Sequence, residues 1–407
     1  MTAFLHPFAK PAAPATDFVP IVRGEGARVW DADGKEYVDG LASLWYCNIG
    51  HGREEMVEAV TGQMRSIAAF HTFDRFTNEP AEALAATLAD LAPFGGARVF
   101  FTSSGSEAVE SAIKLARLSF ALAGQTERTI IIGRVPSYHG VTTGALAVTG
   151  LPLNQAGFGP LLADVVQVPA HDLEAVSGVM EANPGRVAAV LAEPVIGAGG
   201  VYPPHPGELE GLRRLCDASG ALLVLDEVIC AFGRLGSWTG ADHYGVRPDL
   251  VTFAKAVTSG YVPLGGVLVS RAVLDPLESE PDYVLRHGHT YSGHPTACAA
   301  GLAALRITRD EGLLDRAPKV GHRLSTGLRE LAEAGAIDSV RGAGAVWAAE
   351  LNEGASALVV RDRLLERGVI ARPLGTSAVA FCPPLMIADE LVDRCVEALA
   401  SAVEEQP

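Results

Sequence analysis

The sequence predicts an α/β protein: a large domain on a mainly parallel seven-stranded sheet with helices on both faces, plus a smaller α+β domain drawn from both chain ends. Three observations lead there. At 407 residues the chain is longer than one hydrophobic core usually serves. Between 98 and 269, short and nearly continuous β-branched runs alternate with helical segments, as strands covered on both faces do. Beyond about 308 the alternation continues in a smaller unit.

Taken in order, residues 1–20 are rich in Pro and Ala and read as a loosely ordered arm. Arg28-Val29-Trp30 and Glu36-Tyr37-Val38 then form a β-hairpin turning at Asp33-Gly34. Strands are expected at 98–101, 129–133, 165–168, 187–192, 222–225, 251–253 and 266–269, and a helix near 296–306. The smaller unit follows, with strands at 345–351, 369–372 and 379–381, a helix at 357–367 and a last helix from 388. The expected division is an arm and first part of the small domain at 1–55, the large domain at 56–307, and the rest of the small domain at 308–407.

Composition excludes several functions. A formal charge of −16 argues against nonspecific nucleic-acid binding and against an anionic membrane surface. No apolar run approaches the roughly eighteen residues of a membrane helix, and the start Met1-Thr2-Ala3-Phe4 lacks the basic opening and apolar run of a signal peptide. The six cysteines are scattered without CxxC spacing and read as reduced core residues of a cytoplasmic protein.

Two charges stand out. Asp226 closes the apolar run Ala221-Leu222-Leu223-Val224-Leu225, and Lys255 closes Leu250-Val251-Thr252-Phe253-Ala254. Buried charges cost several kcal/mol unless paired or functional, and a desolvated lysine moves toward the neutral amine that forms Schiff bases. Ligands in open α/β sheets bind beyond the carboxyl ends of strands, where both residues fall. Strand alternation puts Asp226 and Val228 on one side and Glu227 on the other, so Asp226 can hold a ring nitrogen protonated while Val228 packs the ring. Tyr138, after strand 129–133, suits the other face. Thr102-Ser103-Ser104-Gly105-Ser106-Glu107 leads from a strand into a helix; the N–H groups and hydroxyls there suit a phosphate, although an ordinary N-cap explains them too. The stretch 287–294 holds His287, His289 and His294 without a carboxylate or cysteine, and no metal is expected there.

Ser104-Gly105-Ser106-Glu107-Ala108, Tyr138-His139-Gly140, Glu193-Pro194-Val195, Asp226-Glu227-Val228, Ala254-Lys255 and His289-Thr290-Tyr291-Ser292-Gly293-His294-Pro295 together resemble the ordered signature blocks of class III aminotransferases. The resemblance spans about residues 25–400. It implies pyridoxal 5′-phosphate (PLP) on fold type I, with Lys255 and Asp226 catalytic: Lys255 as covalent anchor and proton carrier, Asp226 on the pyridine nitrogen. Val228 and Tyr138 would sandwich the ring, with Ser104, Gly105, Ser106, His139 and Glu193 also contacting the cofactor. Thr290 would reach in from a second subunit, making a homodimer with a shared active site; pairing into tetramers is left open.

Within that family the chain resembles the ω-amino acid and amine:pyruvate transaminases. Ile196 and Ala198 stand where the 2-oxoglutarate branch usually has Gln and an acid. Trp45, Phe73 and Arg372 are then the substrate-binding candidates, Arg372 as a mobile clamp for a carboxylate. Asp74 and Arg75 make the pocket more polar than that of relatives with paired aromatics there. The resemblance implies ping-pong transfer through pyridoxamine phosphate from an amine or ω-amino acid to a 2-oxo acid, pyruvate above all. A 2-oxoglutarate-dependent aminotransferase, a PLP-dependent aminomutase and a PLP-free phosphate-ligand-binding protein are the alternatives.

Overall fold

The computed structural model describes residues 3–404. A seven-stranded sheet joins, in spatial order, Arg98–Thr102, Gly265–Val269, Leu250–Phe253, Leu222–Asp226, Val187–Ala192, Ile130–Val135 and Val165–Pro169. Only Gly265–Val269 runs antiparallel to its neighbours; the other four pairings are parallel. All seven strands lie within two residues of their expected ends.

Strand alternation splits the core into two layers. Ile131, Ala189, Leu191, Leu222, Val224 and Leu250 pack with Ala108, Ile113 and Ala116 of helix Gly105–Leu122. Ile130, Ile132, Val190, Ala192, Leu223 and Leu225 face the other way, onto Val176 of helix Leu173–Ala182 and Leu209 and Leu212 of helix Glu208–Ser219. The sheet is therefore buried on both faces, and its strands read as continuous apolar runs for that reason.

Two four-stranded sheets flank it. One joins Ile21–Glu25, Arg28–Asp31, Glu36–Asp39 and, from far along the chain, Val369–Ile370. Its hairpin pairs Val29 with Tyr37, and Gly34 sits at φ +83°, where a Cβ is disfavoured. The other joins Ser339–Ala343, Val346–Glu350, Ala378–Phe381 and Arg372–Leu374. The single strand expected at 369–372 is in fact two strands in different sheets: Val369–Ile370 pairs parallel with Glu36–Asp39, while Arg372–Leu374 turns at Gly375 to pair antiparallel with Ala378–Phe381. That redirection sends the Arg372 side chain toward Tyr138 and Lys255. Strands Ile21–Glu25 and Ser339–Ala343 escaped the sequence because they are exposed or half-buried and have no apolar run. Of the expected segments, residues 1–2 and 405–407 lie outside those described. No helix among the described residues is long and apolar enough to cross a membrane.

Candidate active site

Asp226 is the last residue of its strand and is 4% exposed. Its Oδ1 accepts from the Val228 N–H at 3.1 Å and the Thr252 hydroxyl at 3.0 Å, while Oδ2 lies 2.7 Å from Nδ1 of His139. His139 is in turn held by its backbone N–H, which donates to Thr149 Oγ1 at 3.0 Å. Glu227 faces away, as alternation requires, and caps helix Gly240–Tyr244 through the N–H groups of Gly240 and Ala241; burial pushes its carboxyl up to about 8.

Lys255 follows the neighbouring strand at φ +49°. A left-handed lysine costs about 1 kcal/mol or more and persists only where its surroundings impose it, typically at functional sites. Its amine is reached by no hydrogen bond or ion pair among the described residues. Burial lowers its pKa, opposed by the carboxylates of Asp226 and Glu193 and assisted by the Arg372 cation.

Helix Gly105–Leu122 begins at the same end of the sheet. Ser104 is its N-cap, accepting from Glu107 N–H at 3.2 Å, and the Glu107 carboxylate reaches back to Ser103 N–H at 2.7 Å. The ordinary capping arrangement is thus present, and it occupies the Ser104 hydroxyl. It leaves the N–H groups of Gly105 and Ser106 without protein acceptors, at the positive end of an 18-residue helix. A Cβ at Gly105 would lie 2.9 Å from a Val228 methyl, so glycine is required for this helix to approach the strand end. Ser106 Oγ accepts from Val141 N–H at 3.0 Å, which ties the helix start to the loop carrying Tyr138 and His139.

Glu193, 3% exposed, accepts from the N–H groups of Tyr138 at 3.0 Å and Gly197 at 2.8 Å. Burial raises its pKa, and Asp226 adds to the effect. Its contact with Tyr138 is through the backbone, so it sets where that ring stands. Arg372 carries a buried Nε with no hydrogen-bond partner, and burial lowers its pKa against the opposing influence of Tyr138.

Ser104, Gly105, Ser106, Tyr138, His139, Glu193, Asp226, Val228 and Lys255 all line one cavity of about 390 Å³. Four predicted residues, Arg372, Trp45, Phe73 and Thr290, are not among its lining. Trp45 is 2% exposed in an apolar cluster with Val195, Cys230 and Leu374, against which the lining residue Ile229 packs; its neighbour Tyr46 lines the cavity. Phe73 is 46% exposed within a group of His71, Phe70 and Phe76. Thr290 is exposed, and its neighbours His287 and His289 converge on the Ser111 hydroxyl at 3.0 and 3.3 Å. Residues that the sequence reading missed include Thr252, Tyr46, Ile229, Thr258 and Gly260. Thr252 was detectable as the one hydroxyl inside an apolar strand; the others come from loops without a period to read.

The cavity suits a flat anionic ring. It offers unsatisfied amide donors at one end, a buried carboxylate at the strand edge and an unpartnered amine beside it. Fold and cavity together define a pyridoxal-phosphate-dependent enzyme. The chain belongs to the class-III aminotransferases, whose family profile, "Aminotransferase class-III", matches residues 10–403. Among its relatives, the putrescine–pyruvate aminotransferase of Pseudomonas aeruginosa is 34% identical over 94% of this chain and 91% of its own length. The β-alanine–pyruvate aminotransferase of the same organism is 35% identical with the same two coverages. A transaminase from the marine bacterium Virgibacillus superposes with a TM-score of 0.95 at 38% identity, covering 99% of this chain and 97% of that one. The ω-transaminase of Pseudomonas jessenii in complex with PMP gives 0.94 at 31% identity, covering 99% and 96%.

Proposed function

We propose that this aminotransferase moves an amino group from an amine or ω-amino acid to pyruvate, with Lys255 as its catalytic lysine. The observation that carries the reading is the Lys255 amine itself, shifted toward its neutral form by burial and left without a hydrogen-bond partner among the described residues, beside an anchored carboxylate. When bound, PLP supplies the electron sink that stabilises the pair left behind as the donor's C–H bond breaks. Lys255 takes that proton at Nζ and returns it, as general base and then acid. Asp226 would meet the ring nitrogen, with His139 and Thr252 fixing the direction of its carboxyl group. Tyr138 and Val228 would confine the ring's two faces, and the Gly105 and Ser106 N–H groups would hold the phosphate.

Arg372 binds the pyruvate carboxylate and withdraws for a donor that has none. Pyruvate is favoured because Arg372 has no acidic partner among the described residues to gate it, and because Ile196 is buried and bridged to Tyr202. The names of the two Pseudomonas aeruginosa relatives agree. The exposed Phe70, Phe73, Phe76 and Tyr291, with Thr290 outside this chain's own cavity, support a homodimer in which each subunit completes the other's site. The domain division at 55 and 307, with both chain ends sharing the small domain, and a cytoplasmic location belong to the same reading. A donor panel of putrescine, β-alanine, γ-aminobutyrate and simple amines against each 2-oxo acid tests it. Alanine formed from pyruvate, faster than glutamate from 2-oxoglutarate, is expected; the reverse order sinks the assignment of the acceptor.

A further inference from the structure

Cys47, His51 and Asp39 form a second chemically organised group. Nδ1 of His51 lies 3.6 Å from Sγ of Cys47, and Nε2 of the same ring lies 2.7 Å from Oδ2 of Asp39. Asp39 is 1% exposed and is fixed by the N–H groups of Leu41 at 3.1 Å and Ser43 at 2.7 Å. The Asp39 and Cys47 contacts outweigh burial and push the His51 pKa up to about 10, so the ring is an imidazolium at neutral pH. That cationic ring stands directly against the Cys47 sulfur. No other cysteine meets a histidine among the described residues. Burial pushes Cys216, Cys298 and Cys395 up to about 12 and Cys382 to about 11, and raises Cys230 as well.

Cys47 also borders a cavity of about 270 Å³, lined with it by His51, Tyr46, Ser259, Gly260 and Tyr261. Tyr46 and Gly260 line the cofactor cavity too, and the Tyr46 ring lies so close to Gly260 that a Cβ there would sit 2.2 Å from a ring carbon. These two residues are a common wall between the cavities. None of this is used by the transamination chemistry.

We propose that Cys47 is a modification site for small hydroperoxides, activated by His51 and Asp39 and coupled to the cofactor cavity through Tyr46 and Gly260. The sulfur attacks the distal peroxide oxygen, an S–O bond forms and the O–O bond breaks. Sulfur loses two electrons to the peroxide, and the leaving oxyanion takes the His51 proton, giving a sulfenic acid and an alcohol or water. The small oxidant matters, because Cys47 is 2% exposed and borders a cavity of about 270 Å³.

The test treats the holoenzyme with hydrogen peroxide in the presence of dimedone, which traps sulfenic acids, and maps adducts by peptide mass spectrometry. Cys47 should be labelled roughly tenfold faster than any other cysteine, and His51→Asn should slow that labelling by a similar factor. Turnover should fall as Cys47 is oxidised, return with thiol reductant if dimedone is omitted, and become peroxide-resistant in Cys47→Ser. Even labelling of all six cysteines, or none at Cys47, overturns the proposal without any variant having to fold. Equal peroxide inactivation of Cys47→Ser overturns the coupling. The labelling readout stands whether or not the proposed substrates are right.

Discussion

Around Asp226 the polar groups are tied to one another, with Nε2 of His139 left over, whereas around Lys255 and Arg372 among the described residues they are not. The carboxylate is held from three directions by Val228, Thr252 and His139, and Glu193 beside it holds two backbone N–H groups. Beside it the Lys255 amine has no hydrogen bond among the described residues, and Arg372 keeps a buried Nε without a partner among them. A stable globule satisfies its buried polar groups wherever it can. The contrast therefore separates what must stay still, the charge that tunes the cofactor, from what must stay available, the amine and guanidinium that meet substrate.

The sharpest way to break this contrast is to remove the available amine. Lys255→Ala should reduce kcat by roughly 10⁴-fold or more while leaving the fold intact by circular dichroism. Neutralising the fixed side comes next: Asp226→Asn should cost roughly 10²- to 10³-fold in kcat, the scale of losing one preorganised electrostatic contact. Arg372→Leu should raise KM for pyruvate roughly 10- to 100-fold, because a charge-assisted pair is lost, with little effect on the half-reaction of an amine lacking a carboxylate. A flat pyruvate KM would show that the unpartnered guanidinium is not held for substrate. The smallest effect is on stability. The folded, cofactor-free protein binds fewer protons at Lys255 than the unfolded chain does, since burial lowers the pKa from 10.5. Its stability contribution should therefore rise with pH between the lowered value and 10.5. Denaturant titrations across that range should show this increment in the parent and lose it in Lys255→Met.

Much of this contrast was legible in the sequence. Seven apolar runs gave the sheet because strands buried on both faces admit few polar residues, and for the same reason the charges ending two of them were conspicuous. The alternation of Asp226, Glu227 and Val228 correctly sent Glu227 away from the cavity. Contacts that depend on three-dimensional convergence were not legible: His139 meeting Asp226, Glu193 meeting the Tyr138 backbone, and Cys47 meeting a His51 already held by Asp39. The strand at 369–372 was misread as one element, because nothing local marks where a chain leaves one sheet for another. Trp45, Phe73, Thr290 and Arg372 carried no periodic signal, and in a single chain they lie outside the cavity lining.

The central claim is that the unpartnered amine of Lys255 is the one that engages the cofactor. Borohydride reduction of the PLP-loaded enzyme, followed by peptide mapping, tests this directly. The reduced cofactor should be fixed to the peptide containing Lys255. Attachment to Lys10, Lys35, Lys114 or Lys319, or no attachment at all, would contradict the account.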